Sequence, residues 1–144
     1  MNQEEQEELN TKLIKYSKEG NLELVQYLIE QGADIHVKDD AALRVAANDN
    51  YIEVVKYLVK QWSDIHADND GAFKMAALNN QLEIVKYFLF DCEMEIQKET
   101  KDWLIKSNKK EFLDLIEKRD LLLKLDKNLI QKDSVDNLGK KVKI

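Results

Sequence analysis

The chain has 144 residues, 44% hydrophobic and 35% charged, with 22 Lys and Arg against 28 Asp and Glu for a net charge of −6. That balance suits one domain with a solvated surface over an ordinary core, excludes fibrous and disordered classes, and repels a phosphate backbone. No proline and only four glycines, against a typical proline content of about 5%, point to helices joined by short turns.

In chain order, the opening MNQEEQEELN is acidic through Glu4, Glu5, Glu7 and Glu8 and lacks the basic flank and apolar stretch of a secretory signal. No later segment approaches the roughly 20 apolar residues that span a bilayer. Cys92 is the single cysteine, which fits a reducing compartment, so a cytoplasmic location is expected.

From Leu22 a pattern repeats every thirty residues: LELVQYLIEQGADIH returns as IEVVKYLVKQWSDIH at Ile52 and as LEIVKYFLF at Leu82. A period of this size marks an array of supersecondary units, each burying its apolar face only against its neighbours. Within one unit, AALRVAANDN from Ala41 sets Ala42, Val45 and Ala46 at i, i+3, i+4, which predicts a short first helix with a small-residue face. Ala46–Ala47 and Ala76–Ala77 then mark close approach between layers. Asn50 and Asn80 stand where Gly20 stands, at a turn that asks for a left-handed residue. The second helix runs from about Ile52 to Gln61, with Ile52, Val55, Leu58 and Val59 on one face and equivalents at Leu22, Val25, Leu28, Ile29 and at Leu82, Val85, Phe88, Leu89.

A degenerate fourth unit follows. Trp103 aligns with Leu43 and Phe73, Lys106 replaces Ala46, and EFLDLI at Glu111 matches EIVKYF at Glu83 after a two-residue deletion. DLLLKLDKNLIQ from Asp120 sets Leu122, Leu125 and Leu129 at helical spacing, read as a separate capping helix. The expected units are 9–36, 37–66, 67–96 and 97–119, with a cap at 120–132 and a basic tail at 133–144 carrying Lys140, Lys141 and Lys143.

ALRVAANDNYIEVVKYLVKQWSDIHAD and SKEGNLELVQYLIEQGADI resemble the ankyrin repeats, over about Leu13 to Leu89. The Asp-Ile-His ending with Lys-Tyr-Leu looks similar to the divergent arrays of large DNA viruses infecting amoebae, for which the host cytoplasm would be the setting. The resemblance implies an all-α helical solenoid of about four helix pairs. The unit is thirty residues instead of the family's usual 33, and the family's Thr-Pro-Leu-His reads Ala-Ala-Leu-Arg at Ala41 and Gly-Ala-Phe-Lys at Gly71. The missing residues fall in the hairpin, so its fingers should be shortened or reduced to turns. The glycine ending the second helix, Gly32, becomes Trp62 and Cys92, where a left-handed backbone costs on the order of 1 kcal/mol.

Chemistry finds no support: there is no Gly-rich phosphate loop, zinc-protease motif, paired-cysteine metal motif or nucleophile elbow, so no enzyme, cofactor or metal is expected. His36 and His66 recur in register, about 10 Å apart at helix packing distances, too far for one zinc. Cys92 and the tyrosines Tyr27, Tyr57 and Tyr87 read as packed side chains, and Trp62 as packing against the next repeat.

The family's inner face implies a partner-binding set at the turn tips and the ends of the first helices: Lys38, Asp39, Asp40, Asn48 and Asp49, then Asp68, Asn69, Asp70, Leu78 and Asn79. The expectation is a non-catalytic module that binds a protein with a basic patch on its concave side. The acidic balance argues against nucleic acid, and nothing points to a membrane partner. A monomer is the expected state; the alternative is a homodimer through the C-terminal cap around Trp103 and Leu122.

Overall fold

The computed structural model describes residues 1–141, with side chains through residue 138. All regular structure among the described residues is helical. The chain divides into two units, Met1–Lys109 and Lys110 onward.

The first unit is built in layers. Helix α1 (Gln3–Lys18) and α2 (Leu22–Glu30) form the first layer, α3 (Val37–Asn48) and α4 (Ile52–Lys60) the second, α5 (Ala67–Leu78) and α6 (Leu82–Lys86) the third, and α7 (Lys98–Lys106) opens a fourth. First helices stack on first helices, α1 on α3 on α5 on α7, and second helices on second helices, α2 on α4 on α6. The thirty-residue period is therefore a column of equivalent positions. Val25, Val55 and Val85 are all fully buried, as are Leu13, Leu43 and Phe73 in the first helices. Ala46, Ala47, Ala76 and Ala77 are equally sealed, because a methyl side chain lets the helix axes of adjacent layers approach closely. The outer stripe positions behave differently: Leu82 is exposed and Leu22 and Ile52 are half-buried, while Val54 and Ile84 go to the core instead.

Several helix ends have identifiable causes. Asn2 accepts a hydrogen bond from Glu5 N while the Glu5 carboxylate accepts from Asn2 N, a capping box that fixes the start of α1. The first helices stop at left-handed residues, Gly20 (φ 73°), Asn50 (65°), Asn80 (54°) and Asn108 (55°). The following N–H then bonds back five residues, as in Tyr51 N to Ala46 O at 2.9 Å and Gln81 N to Ala76 O at 2.8 Å. At Gly20 the backbone also needs room, since a Cβ there would lie 2.2 Å from the Tyr51 ring.

The ends of the second helices depart from expectation in two ways. Trp62 keeps the left-handed conformation of Gly32, at φ 71° against 97°, and its side chain is 86% exposed instead of packed on the next repeat. Cys92 does not occupy the equivalent place. Residues Tyr87–Asp91 form a π-helical turn, which absorbs one additional residue. Ala33 N and Ser63 N reach back five residues to Leu28 O and Leu58 O, whereas Met94 N reaches six to Phe88 O. Glu93 (φ 48°) takes the left-handed position, and Met94 fills the buried site held by Ala33 and Ser63.

No hairpin fingers remain between layers one and three. In their place Lys38, Asp39 and Asp40 wind left-handed (φ 51–55°, ψ 44–55°) at the start of α3. Asp68, Asn69 and Asp70 do the same at the start of α5. Successive left-handed residues other than glycine are rare because each costs roughly 1–2 kcal/mol, a cost that Asn and Asp bear best. Four of these six positions are aspartates and one is asparagine.

The fourth layer differs from the sequence alignment. Lys109 N bonds back to Leu104 O at 2.8 Å, so Asn108 matches Asn80 and Leu104 takes the place of Ala76. The two-residue deletion thus lies ahead of Leu104, and neither Trp103 nor Lys106 holds the position assigned to it by counting thirty. In the second unit, α8 (Glu111–Lys141) is one unbroken helix. The expected break before a separate cap at 120 does not occur, nor does one at 132/133. The side chains of Lys140, Lys141 and Lys143 lie outside the described residues.

Candidate partner-binding face

The left-handed turns place their third residue inward. Asp40 and Asp70 are only 3% and 4% exposed. Asp40 Oδ2 accepts from Asp64 N at 2.7 Å, holding the connector that leads from α4 into α5. Asp70 Oδ2 accepts from Thr100 Oγ1 at 2.6 Å, joining layer three to α7. Asn10 Oδ1, thirty residues before Asp40, accepts from Asp34 N at 2.7 Å and holds the connector that leads from α2 into α3. Asn10, Asp40, Asp70 and Thr100 therefore form a polar column through the first unit. His36 Nδ1 and His66 Nδ1 contact the other side of Asp40 and Asp70 at 3.1 and 2.7 Å. The histidines recur because each closes this buried carboxylate, and among the described residues no His, Cys, Asp or Glu grouping suits a metal ion.

This arrangement corrects the candidate set. Asp40 and Asp70 are expected at exposed tips, but their carboxylates are engaged by Asp64 N or the Thr100 hydroxyl and by a histidine ring nitrogen, so neither presents an oxygen to a partner. The misassignment has a physical reason: a turn of three left-handed residues rotates its third side chain toward the stack, where a hairpin tip would hold it in water.

Eight candidates remain on the surface. Lys38, Asp39, Asp68 and Asn69 are exposed, as are Leu78 and Asn79, while Asn48 and Asp49 are half-buried. One hydrogen bond connects two of them across layers, and others lie beside it. Asn79 Nδ2 donates to Asn48 Oδ1 at 2.9 Å, Asn48 Nδ2 to Asp49 Oδ1 at 2.7 Å, and Lys109 Nζ to Asn80 Oδ1 at 2.7 Å. Leu78 stays 44% exposed beside them.

Arg44, which sequence reading left out, organises the turn end. Its Nε and NH2 donate to the carbonyls of Asp39 and Lys38 at 3.2 and 2.9 Å, and its NH1 donates to Asp68 Oδ2 at 3.0 Å in the next layer. A Cβ at residue 71 would come within 2.6 Å of Arg44 Cδ, which accounts for Gly71 where the preceding repeat has Ala41. The available signal was the arginine itself, standing where the family's motif carries histidine.

Other candidates for chemistry are quiet. Burial pushes the Cys92 thiol up, with Asp91 acting in the same direction against a hydrogen bond from the Tyr87 hydroxyl. A thiol held protonated is a poor nucleophile. Tyr87 is likewise raised, mainly by burial, and its ring sits under Lys56 Nζ at 5.9 Å. Tyr57 and Tyr87 are half-buried and Tyr27 is 54% exposed.

The stacked layers agree with the comparisons. A family model described as ankyrin repeats, in three copies, matches residues 13–102. The chain belongs to the ankyrin repeat family. Two ankyrin repeat proteins of Rickettsia felis are 42% identical over 55 residues and 41% identical over 51. These matches cover 36% and 33% of this chain and 87% and 77% of the relatives. The matched span of this ankyrin array closes within α7, so α8 lies beyond it. No described helix is long and apolar enough to cross a membrane.

Proposed function

We propose that this ankyrin array is a non-catalytic interaction module that binds a partner protein along the concave side formed by its turns and first-helix ends. The observation carrying this reading is the Asn48–Asn79 hydrogen bond with exposed Leu78 beside it. Polar groups and an apolar anchor on adjacent layers are held in fixed register before anything binds. A preformed surface loses less ordering entropy on association than a flexible one. With Asp68 paired to Arg44, Asp39 and Asp49 stand against Lys38 on this side, which favours a partner with a basic patch and an on-rate that falls with salt. The proposed setting is the cytoplasm.

The test is affinity capture from the native cell with wild type, an Asp39→Lys/Leu78→Asp variant, and a Lys56→Glu variant altered on a second helix. A protein retained by wild type and Lys56→Glu but lost with Asp39→Lys/Leu78→Asp supports the reading. Equal retention by all three overturns it. Self-association, the second reading, is favoured by a specific feature of α8.

A further inference from the structure

The exposed leucines of α8 share one side. Leu122, Leu125 and Leu129 are 46%, 49% and 59% exposed, and Leu115, half-buried, precedes Leu122 by the seven residues that separate Leu122 from Leu129. At 100° per residue these four fall within about 80° of arc. Leucines seven apart with another at the intervening position form the seam along which two helices supercoil.

The polar members of that seam decide what covers it. Lys118 and Lys132 flank Leu125 at one turn-pair's distance on either side, and Asp114 adjoins Leu115; all three are exposed. In a parallel pair each position faces itself, so Lys118 would meet Lys118 and Lys132 would meet Lys132, an arrangement that costs affinity. In an antiparallel pair with Leu122 opposite Leu125, Leu115 faces Lys132. The lysine stem then lies across the leucine, and its ammonium reaches Asp114 of the second copy. The match is self-complementary, as a two-fold interface requires. It ends where Asp136 would face Glu111.

We propose that α8 pairs antiparallel with α8 of a second copy of this chain, through Leu115, Leu122, Leu125 and Leu129, with Lys132 against Asp114 at both ends. None of these residues belongs to the candidate set on the first helices, so either proposal can fail without the other.

Light scattering on the full chain over about 1–500 μM, the range of moderate affinities, reads the outcome. The expected mass rises with concentration from the monomer's 16.8 kDa to twice that value. Leu122→Glu/Leu125→Glu should weaken pairing by at least about 100-fold, with helical circular dichroism retained. Leu129→Gln, a single exposed change, keeps the test open should that variant unfold, and should weaken pairing about tenfold. Lys132→Glu should weaken it by about tenfold and Asp114→Lys/Lys132→Glu should restore it. A monomer throughout the range, or a dimer indifferent to the leucine changes, overturns the proposal. A dimer insensitive to Lys132→Glu overturns the antiparallel pairing.

Discussion

Asp40 and Asp39 are adjacent aspartates with opposite fates. The first is sealed between layers with both oxygens engaged, and the second is in water. The same division separates Asp70 from Asp68. Removing a buried, hydrogen-bonded carboxylate strands its donors, at about 1–3 kcal/mol for each group left unpaired. Asp70→Ala is therefore expected to lower stability by about 2–4 kcal/mol, whereas Asp39→Ala should change it by less than about 0.5 kcal/mol. Urea titration of the two variants checks the contrast, and equal losses would refute the buried role. Trp62 is the converse case, a large side chain in a left-handed backbone with no packing to retain it. Trp62→Gly should raise stability by about 1 kcal/mol, or roughly 4 °C in Tm. A fall in Tm would mean that the indole has a stabilising contact.

Among the elements, the second helices carry the core that adjacent layers share. Leu58 is wholly enclosed, and Leu58→Ala should cost about 2–5 kcal/mol in equilibrium denaturation, with the upper end marking a cavity that does not collapse. Most of this architecture was legible from the thirty-residue period: the paired helices, the alanine contacts, the valine column and the left-handed Asn50 and Asn80 all follow from it. The failures fall where the period itself changes. The π-helical turn adds one residue before Met94, and the fourth layer drops two before Leu104, so counting by thirty misplaced Cys92, Trp103 and Lys106. Periodicity also says nothing of handedness in the connecting turns. Aspartates between helices usually face water, and only the three-residue left-handed winding turns Asp40 and Asp70 inward. The unbroken α8 is hidden in the sequence for a different reason: its apolar residues change sides after Ile116, which imitates the boundary between two helices.

At the scale of the whole chain, three proton equilibria involve groups that burial keeps neutral. Tyr57, Tyr87 and Cys92 are all raised, in each case chiefly by burial. Below their unfolded values both states hold these protons and stability is unaffected. As pH climbs past about 9–10, the unfolded chain releases them while the folded chain retains them, so the unfolded state gains. Thermal denaturation should give a Tm that is level to about pH 9 and declines toward pH 11. Cys92→Ala should reduce only the earlier part of that decline, and a Tm rising through this range would contradict the burial of these groups.

The polar column has one more implication. Asp40 holds the connector that leads into the third layer and Asp70 holds α7, so residues 37–66 carry a fastening at the same place as the repeat that follows them. Duplicating that segment in tandem would extend the array once Lys38 and Ala41 of the second copy became Asp and Gly, because Arg44 of the first copy meets Asp68 and Gly71 at those places. Genetic drift in the number of copies would then alter the reach of the molecule while leaving its method of assembly intact.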